Sequence, residues 1–190
     1  MKIKDRVTLG VIAGLGANIV KLGVEQFFVS RKMASQIGIT KAAGIHLHKT
    51  DINSTRGKAV GILTDMTIAA TLGVAGTYLL THTGRDNKFL KALALGNISW
   101  SFMYGFLGSM GASSVKKSDP KTSLTQWFSH TAFSLTKLYL IDKLGDQRLF
   151  KPNPLNEAEK TLADDLDPTF PKFITRVVPP LMPCKFLPAS

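Results

Sequence analysis

Five side chains that could carry ion or proton chemistry lie inside otherwise apolar segments of this sequence. Ionisable groups within a bilayer usually face the interior of a helix bundle and pair with one another, and they mark candidate functional sites. If four helices cross in alternation, a rise of about 1.5 Å per residue brings these side chains to a similar depth. We therefore predict an intramembrane polar layer formed by Lys21, Glu25, Asp65, Tyr104 and His130.

Two interpretations of this polar layer stay open at the level of sequence. In the first, Lys21 pairs with Asp65 or Glu25 only as a neutral clamp that fixes the register of the helices. In the second, the layer is a route or a site for an ion, a proton or a polar solute. The first interpretation predicts a structural protein, and the second predicts a transporter or channel.

Outside the apolar segments, one cluster of potential metal ligands stands out. His46 and His48 are two residues apart, and Asp51 follows them. Two histidines without a third definite ligand fall short of a zinc site, and the cluster fits no reaction template. We therefore predict no metal, no cofactor, no catalytic residue and no enzymatic activity.

The longest apolar stretch, residues 92–115, has no charged side chain, and lysines flank it on both sides. As a helix it would span about 36 Å, enough to cross a hydrocarbon core of about 30 Å. We predict three further helices at 7–29, 59–81 and 122–141. The fold class is therefore all-α, a four-helix transmembrane bundle. Near the end of the fourth helix, Lys137 is expected to reach the membrane surface.

Small residues recur on one face of the first three predicted helices. Such stripes let membrane helices approach closely, whereas glycines at these positions would weaken a helix in water. We predict helix packing at Gly10, Gly14, Ala17, Gly61, Gly76, Gly105 and Gly108.

The segments outside the helices differ sharply in composition. Residues 30–58 form a long basic connection, part of which could lie on the membrane surface as a short amphipathic helix. Eight of the nine prolines fall within 152–188, among apolar residues, which excludes a long helix or a central strand. We predict a transmembrane domain at 1–145 and an extended proline-rich arm at 146–190 that packs on another surface.

The formal net charge of +11 could indicate nucleic acid or lipid. The basic residues collect at the ends of apolar segments and no nucleic-acid-binding motif occurs, so we expect a lipid bilayer as partner and no nucleic acid. Nine basic residues lie on each side of the predicted bundle, so the positive-inside rule does not choose an orientation.

Several motifs together resemble a known group of proteins. These are the first helix ending in Lys21-x-x-x-Glu25, the long polar loop after it, Gly96-Asn97-x-x-Trp100, and Trp127-x-x-His130. The pattern, over residues 7–145, resembles small uncharacterised four-helix integral membrane proteins of bacteria that carry a domain of unknown function. The resemblance implies a multi-pass location in the bacterial inner membrane and no particular activity.

From these observations we expect a structural or accessory membrane protein that associates with copies of itself or with another membrane protein. Small-residue stripes and an apolar arm favour this function. The alternative is a small transporter or channel for an ion, a proton or a polar solute that uses the polar layer.

Overall fold

The computed structural model describes residues 2–113 and 119–150, so most of the predicted arm, 151–190, lies outside the described residues. Within the described ranges the chain contains helices and no β-strand, which confirms the predicted all-α class. The helices are α1 (Arg6–Ser30), α2 (Gly38–His46), α3 (Thr55–Thr83), α4 (Lys88–Trp100), a π-helix (Ser101–Phe106), α5 (Leu107–Ser109), α6 (Pro120–Leu144) and a 3-10 helix (Gln147–Phe150).

The long helices begin at capping residues that the sequence supplies. Asp5 accepts a hydrogen bond of 2.6 Å from the Thr8 N–H at the start of α1, and Ser54 caps α3 in the same way. Asp119 caps α6, whose first residue is Pro120. The predicted start at residue 122 is therefore two residues late. A proline at the first helical position loses no hydrogen bond, and its ring presets the helical φ angle.

The third apolar stretch differs from its prediction at both ends. The helical backbone begins at Lys88 and runs through α4, the π-helix and α5 to Ser109. The chain then turns at Gly111, whose φ of +70° lies in the left-handed region that favours glycine. The helix therefore ends before residue 115, the predicted limit.

Four of the helices pack into one bundle around α1. Helix α1 lies against α3 and α6, α4 lies against α6, and the short α2 lies on α3. One apolar cluster joins α1, α3, α4 and α6, and Phe150 of the 3-10 helix completes it. A second cluster consists of Ala17, Ala69 and Phe133.

The N-terminus is tied to the end of α6 through its backbone. The Ile3 N–H donates to the Leu144 carbonyl at 2.9 Å, and the Asp146 N–H donates to the Ile3 carbonyl at 3.0 Å. Residues 147–150, predicted as the beginning of the extended arm, form the 3-10 helix instead. The extended arm stays a prediction for 151–190.

Glycines bring the backbones of α1 and α3 into direct contact. A Cβ atom at Gly73 would lie 2.0 Å from the carbonyl oxygen of Gly10, and one at Gly14 would lie 2.3 Å from the carbonyl oxygen of Ala69. Real Cβ atoms do not approach backbone so closely, so larger side chains would force the two helices apart. Two residues of the predicted packing stripe therefore lie at this helix crossing.

Three other predicted packing residues also lie at contacts within the chain. A Cβ atom at Gly61 would lie 2.5 Å from the Ile39 carbonyl oxygen of α2, and one at Gly76 would lie 3.3 Å from Cε of Lys137. Ala17 is fully buried in the second apolar cluster. These small residues leave room for neighbouring elements of the same chain.

Gly105 and Gly108 differ from the prediction. A Cβ atom built at either position meets no described atom within 4 Å, so neither glycine supports a close helix crossing in this part of the chain. Both glycines instead line a cavity that is partly open to the outside of the bundle. The spacing of the two glycines places them on one face of the helix. Spacing alone does not show whether that face packs against another helix or borders a cavity.

Large apolar side chains are exposed on the outer faces of the long helices, and polar side chains are buried beside the apolar clusters of the interior. Ile19, Leu63 and Met110 each expose about two thirds or more of their area, whereas Gln126 and Lys137 are almost fully buried. In soluble domains a lysine is almost never fully buried unless it is paired. By length and mean hydropathy, α1 and α3 could each cross a membrane, with values of 1.7 and 1.5 in their most apolar windows.

We predict that Gly73→Ala separates α1 from α3 and lowers the stability of the bundle. Overpacking costs about 1–3 kcal/mol, and here the new methyl group meets backbone, which cannot rotate away. The control is Gly23→Ala on α1, where a Cβ atom meets no described atom within 4 Å. Thermal unfolding in detergent measures both variants, and equal unfolding temperatures would contradict the close crossing.

Candidate functional site

A buried ion pair connects α1 and α3 in the middle of the bundle. The Lys21 Nζ lies 2.5 Å from Oδ1 of Asp65, and the two residues are 5% and 6% exposed. The Asn18 amide donates to the other oxygen, Oδ2, at 2.9 Å. Both oxygens of the carboxylate are thus satisfied by groups on α1, as a buried charge requires.

Glu25, one turn after Lys21, joins three helices rather than the ion pair. Its Oε2 accepts a hydrogen bond of 2.8 Å from the Gly38 N–H at the start of α2, and its Oε1 accepts one of 3.3 Å from Ser129 of α6. A negative charge at a helix N-terminus is favourable. Glu25 therefore holds α2 onto the bundle.

Tyr104 and His130 meet edge to face beside the ion pair. Their ring centroids are 5.3 Å apart with an interplanar angle of 84°. Nδ1 of His130 lies 3.5 Å from the Ser99 hydroxyl, at the limit of a hydrogen bond. Nε2 of His130 is buried and has no hydrogen-bond partner among the described residues.

A cavity of about 280 Å³ lies between α1, α2, α3, the π-helix and α6. Four of the five predicted layer residues, Lys21, Asp65, Tyr104 and His130, line it. Glu25 is not among its lining residues, although its carboxylate lies close to Gly38, which is. The structure thus brings these four predicted residues together around an internal space.

Asn18 and Lys41 are among the cavity-lining residues that the sequence reasoning missed. Asn18 is fully buried, and its Oδ1 has no hydrogen-bond partner within the described ranges. The Lys41 Nζ lies 4.5 Å from the ring centroid of Tyr104. Asn18 shares a helix face with Lys21, three residues later, and this spacing could have identified it. Lys41 belongs to the cavity only because α2 folds back onto the bundle.

Burial also changes the proton affinity of Lys41. Partial burial lowers the pKa of its ammonium group below the ordinary value, because a low-dielectric surrounding disfavours the charged form. No described aspartate or glutamate lies within salt-bridge distance of Lys41 to offset this effect.

Lys137 corrects another expectation. The side chain does not extend to the surface of the bundle, since Lys137 is 1% exposed and its Nζ lies 4.7 Å from the ring centroid of Phe133. Gly76 on α3 leaves the space that the lysine stem occupies. The polar side chains of α6 at Gln126, His130, Ser134 and Lys137 are therefore all buried in the bundle.

The structure does not bring His46, His48 and Asp51 together as a group of three potential metal ligands. In residues 2–113 and 119–150, no three histidine, cysteine or acidic side chains approach one another as metal ligands do. His46 lies at the C-terminal end of α2 and is exposed.

Comparisons with models of protein families, with curated proteins and with solved structures find no match to this chain. The resemblance to small bacterial four-helix membrane proteins therefore stays a prediction. Any functional conclusion must come from the geometry of the bundle and its cavity.

We predict that Asp65→Asn destabilises the protein by about 3–5 kcal/mol, because it leaves the buried Lys21 ammonium without its carboxylate. The double variant Lys21→Met with Asp65→Asn removes both charges and should recover most of this loss. Asp51→Asn, at an exposed aspartate, is the control. Thermal unfolding in detergent reports all three variants. The ion pair would be unimportant if Asp65→Asn and Asp51→Asn unfolded at the same temperature.

Proposed function

We propose that this chain is an integral membrane protein whose polar interior binds or conducts a small polar solute or an ion. In this proposal, four membrane-crossing segments form the bundle in the bacterial inner membrane. The observation that carries it is the inverted polarity of the bundle, with apolar side chains outside and charged or polar side chains inside.

The distribution of side chains supports a lipid environment. Lysine and glutamate are almost never fully buried in soluble domains unless paired, yet Glu25 and Lys137, which form no ion pair with a described residue, are both at least nine-tenths buried. Large apolar side chains occupy the outer faces of α1, α3, α4 and α6. This arrangement would be unfavourable in water and suits a surrounding of lipid tails.

Segments beyond α1 and α3 complete the proposed four crossings. The continuous helical stretch from Lys88 to Ser109 is about 30 Å long at the rise of an α-helix. Helix α6, with 25 residues, is longer still. Its low overall hydropathy follows from the polar face that it turns to the interior, while Leu124, Phe128 and Tyr139 face outward.

The cavity favours solute binding over a purely structural role. A structural clamp requires satisfied polar groups, and the Lys21–Asp65 pair meets that requirement. The space beside the pair, by contrast, contains buried polar atoms of Asn18 and His130 without described partners. Buried polar atoms without partners are costly, and a bound solute or water would satisfy them.

Self-association, as a structural or accessory protein, is the second proposal. Ile98, Phe102 and Phe106 form an exposed apolar patch along α4 and the π-helix, and the two phenylalanine rings stack with centroids 5.6 Å apart. Such a patch suits lipid or the surface of another membrane helix. However, the glycine stripes of α1 and α3 are used within the chain, which weakens the case from small residues.

We predict that the expressed protein stays in the membrane pellet during alkaline-carbonate extraction and dissolves only in detergent, because its outer surface is apolar. A peripheral protein bound to the same membranes is the control and should wash off. Recovery of the chain in the carbonate supernatant would contradict the membrane proposal.

The mass of the detergent-solubilised protein then tests the second proposal, which predicts two or more chains per particle.

We predict that the purified protein makes liposomes permeable to a small solute. Liposomes shrink when they are mixed with concentrated urea, glycerol or potassium nitrate, and they swell again as the solute enters. Stopped-flow light scattering measures the rate of this swelling, and valinomycin lets potassium follow the nitrate. His130→Phe should slow entry several-fold, since a larger ring fills part of the cavity and removes Nε2. His82→Phe, at an exposed histidine on α3, should keep the rate. The conducting form of the proposal would be wrong if no solute entered faster than in protein-free liposomes.

A further inference from the structure

We propose that the cavity binds a small anion, a carboxylate or phosphate group that also carries a hydrogen-bond donor, with Lys41 as its charge partner. This inference rests on the proposed function and names the class of solute that the interior accepts. It follows from the charges and the free hydrogen-bonding atoms that line the cavity.

The negative charge in the cavity is already engaged. Oδ1 of Asp65 contacts the Lys21 ammonium, and Oδ2 accepts from the Asn18 amide. A cation entering the cavity would therefore find each carboxylate oxygen of Asp65 already in contact with a group of α1. Because Lys21 balances the charge of Asp65, the cation would also face the positive charge of Lys41, which disfavours a further positive charge.

The positive charge of Lys41, in contrast, has no anionic partner among the residues that the structure describes. Among the described residues no carboxylate lies within 4.0 Å of its Nζ, and its contact is the face of the Tyr104 ring. The lysine is half-buried, so its charge is only partly solvated. An anion bound beside it would offset the burial that lowers its pKa.

The free polar atoms define the rest of the solute. Oδ1 of Asn18 can only accept a hydrogen bond, and Nε2 of His130 can accept or donate according to the tautomer. Both residues are at least nine-tenths buried and line the cavity. A solute that has an anionic group to contact the Lys41 ammonium and an O–H or N–H group to donate to Oδ1 of Asn18 would satisfy both residues.

The size of the cavity fits a small molecule. Its volume of about 280 Å³ exceeds the space that one ion requires. Gly105 and Gly108 line it without side chains, and a Cβ atom at either position would meet no described atom within 4 Å, which keeps the space open beside the π-helix. Hydroxy acids and hydrogen phosphate combine the required size, charge and donor.

The experiment uses the full-length protein in lipid nanodiscs and a set of small probes. Acetate, acetamide and acetamidinium share one shape and carry charges of −1, 0 and +1, and glycolate adds a hydroxyl donor to acetate. Equilibrium dialysis with radiolabelled probes measures their affinities. We expect glycolate to bind most tightly, acetate about tenfold more tightly than acetamide, and acetamidinium not to bind.

Two variants identify the charge partner. Lys41→Gln should weaken glycolate and acetate binding about tenfold and leave acetamide binding unchanged. The control Lys49→Gln removes a lysine from the exposed loop after α2 and should change neither affinity. Equal loss in both variants, or no loss in Lys41→Gln, would overturn the assignment of Lys41.

The possible outcomes separate this inference from the function on which it rests. Equal binding of acetate and acetamide, or preferred binding of acetamidinium, would overturn the anion proposal and leave a polar solute site. Failure of all four probes to bind would overturn both the anion proposal and the proposed solute site.

Nanodiscs with and without phosphatidylglycerol distinguish the source of the anionic group. Weaker glycolate binding with the anionic lipid would assign the site to a lipid phosphate, whereas unchanged binding would assign it to a soluble anion.

Discussion

The buried ion pair between Lys21 and Asp65 is the interaction on which the bundle interior depends. Two opposite charges in a low-dielectric interior attract strongly, but both lose hydration, so the pair is tolerable only when its remaining hydrogen-bonding positions are filled. Asn18 fills one of them. The glycines at the crossing of α1 and α3 let the two backbones touch, which brings the lysine and the aspartate within reach.

The inverted polarity of the molecule follows from the same requirement. Lipid offers no hydrogen bonds, so polar side chains of membrane helices must find partners inside the bundle. The polar face of α6 meets this need at Ser129, whose hydroxyl donates to Glu25, while its outer face is apolar. In the proposed lipid environment, glycines that would weaken helices in water are tolerated, because close packing and the absence of competing water preserve the helical hydrogen bonds.

Much of the fold and of the cavity lining could be predicted from the sequence, because helix periodicity and rise fix which residues share a face and a depth. Lys21, Asp65, Tyr104 and His130 were identified in this way. Lys41 could not be, since it reaches the cavity through the return of α2, which depends on the Glu25 contact to Gly38. The sequence also does not show how a helix is rotated about its axis in the bundle. The burial of Lys137 was therefore not predicted.

The clamp and the solute site are compatible, and each assigns a different role to the same residues. As a clamp, the Lys21–Asp65 pair neutralises itself and binds α1 to α3. In the proposed anion site, Lys21 balances the charge of Asp65 and Glu25 is not among the lining residues, so the charge offered to a solute is that of Lys41. A neutral pair on one wall, and on the other a lysine with no carboxylate partner among the described residues, would form this site. A structural pair can therefore determine the selectivity of the cavity without contacting the solute.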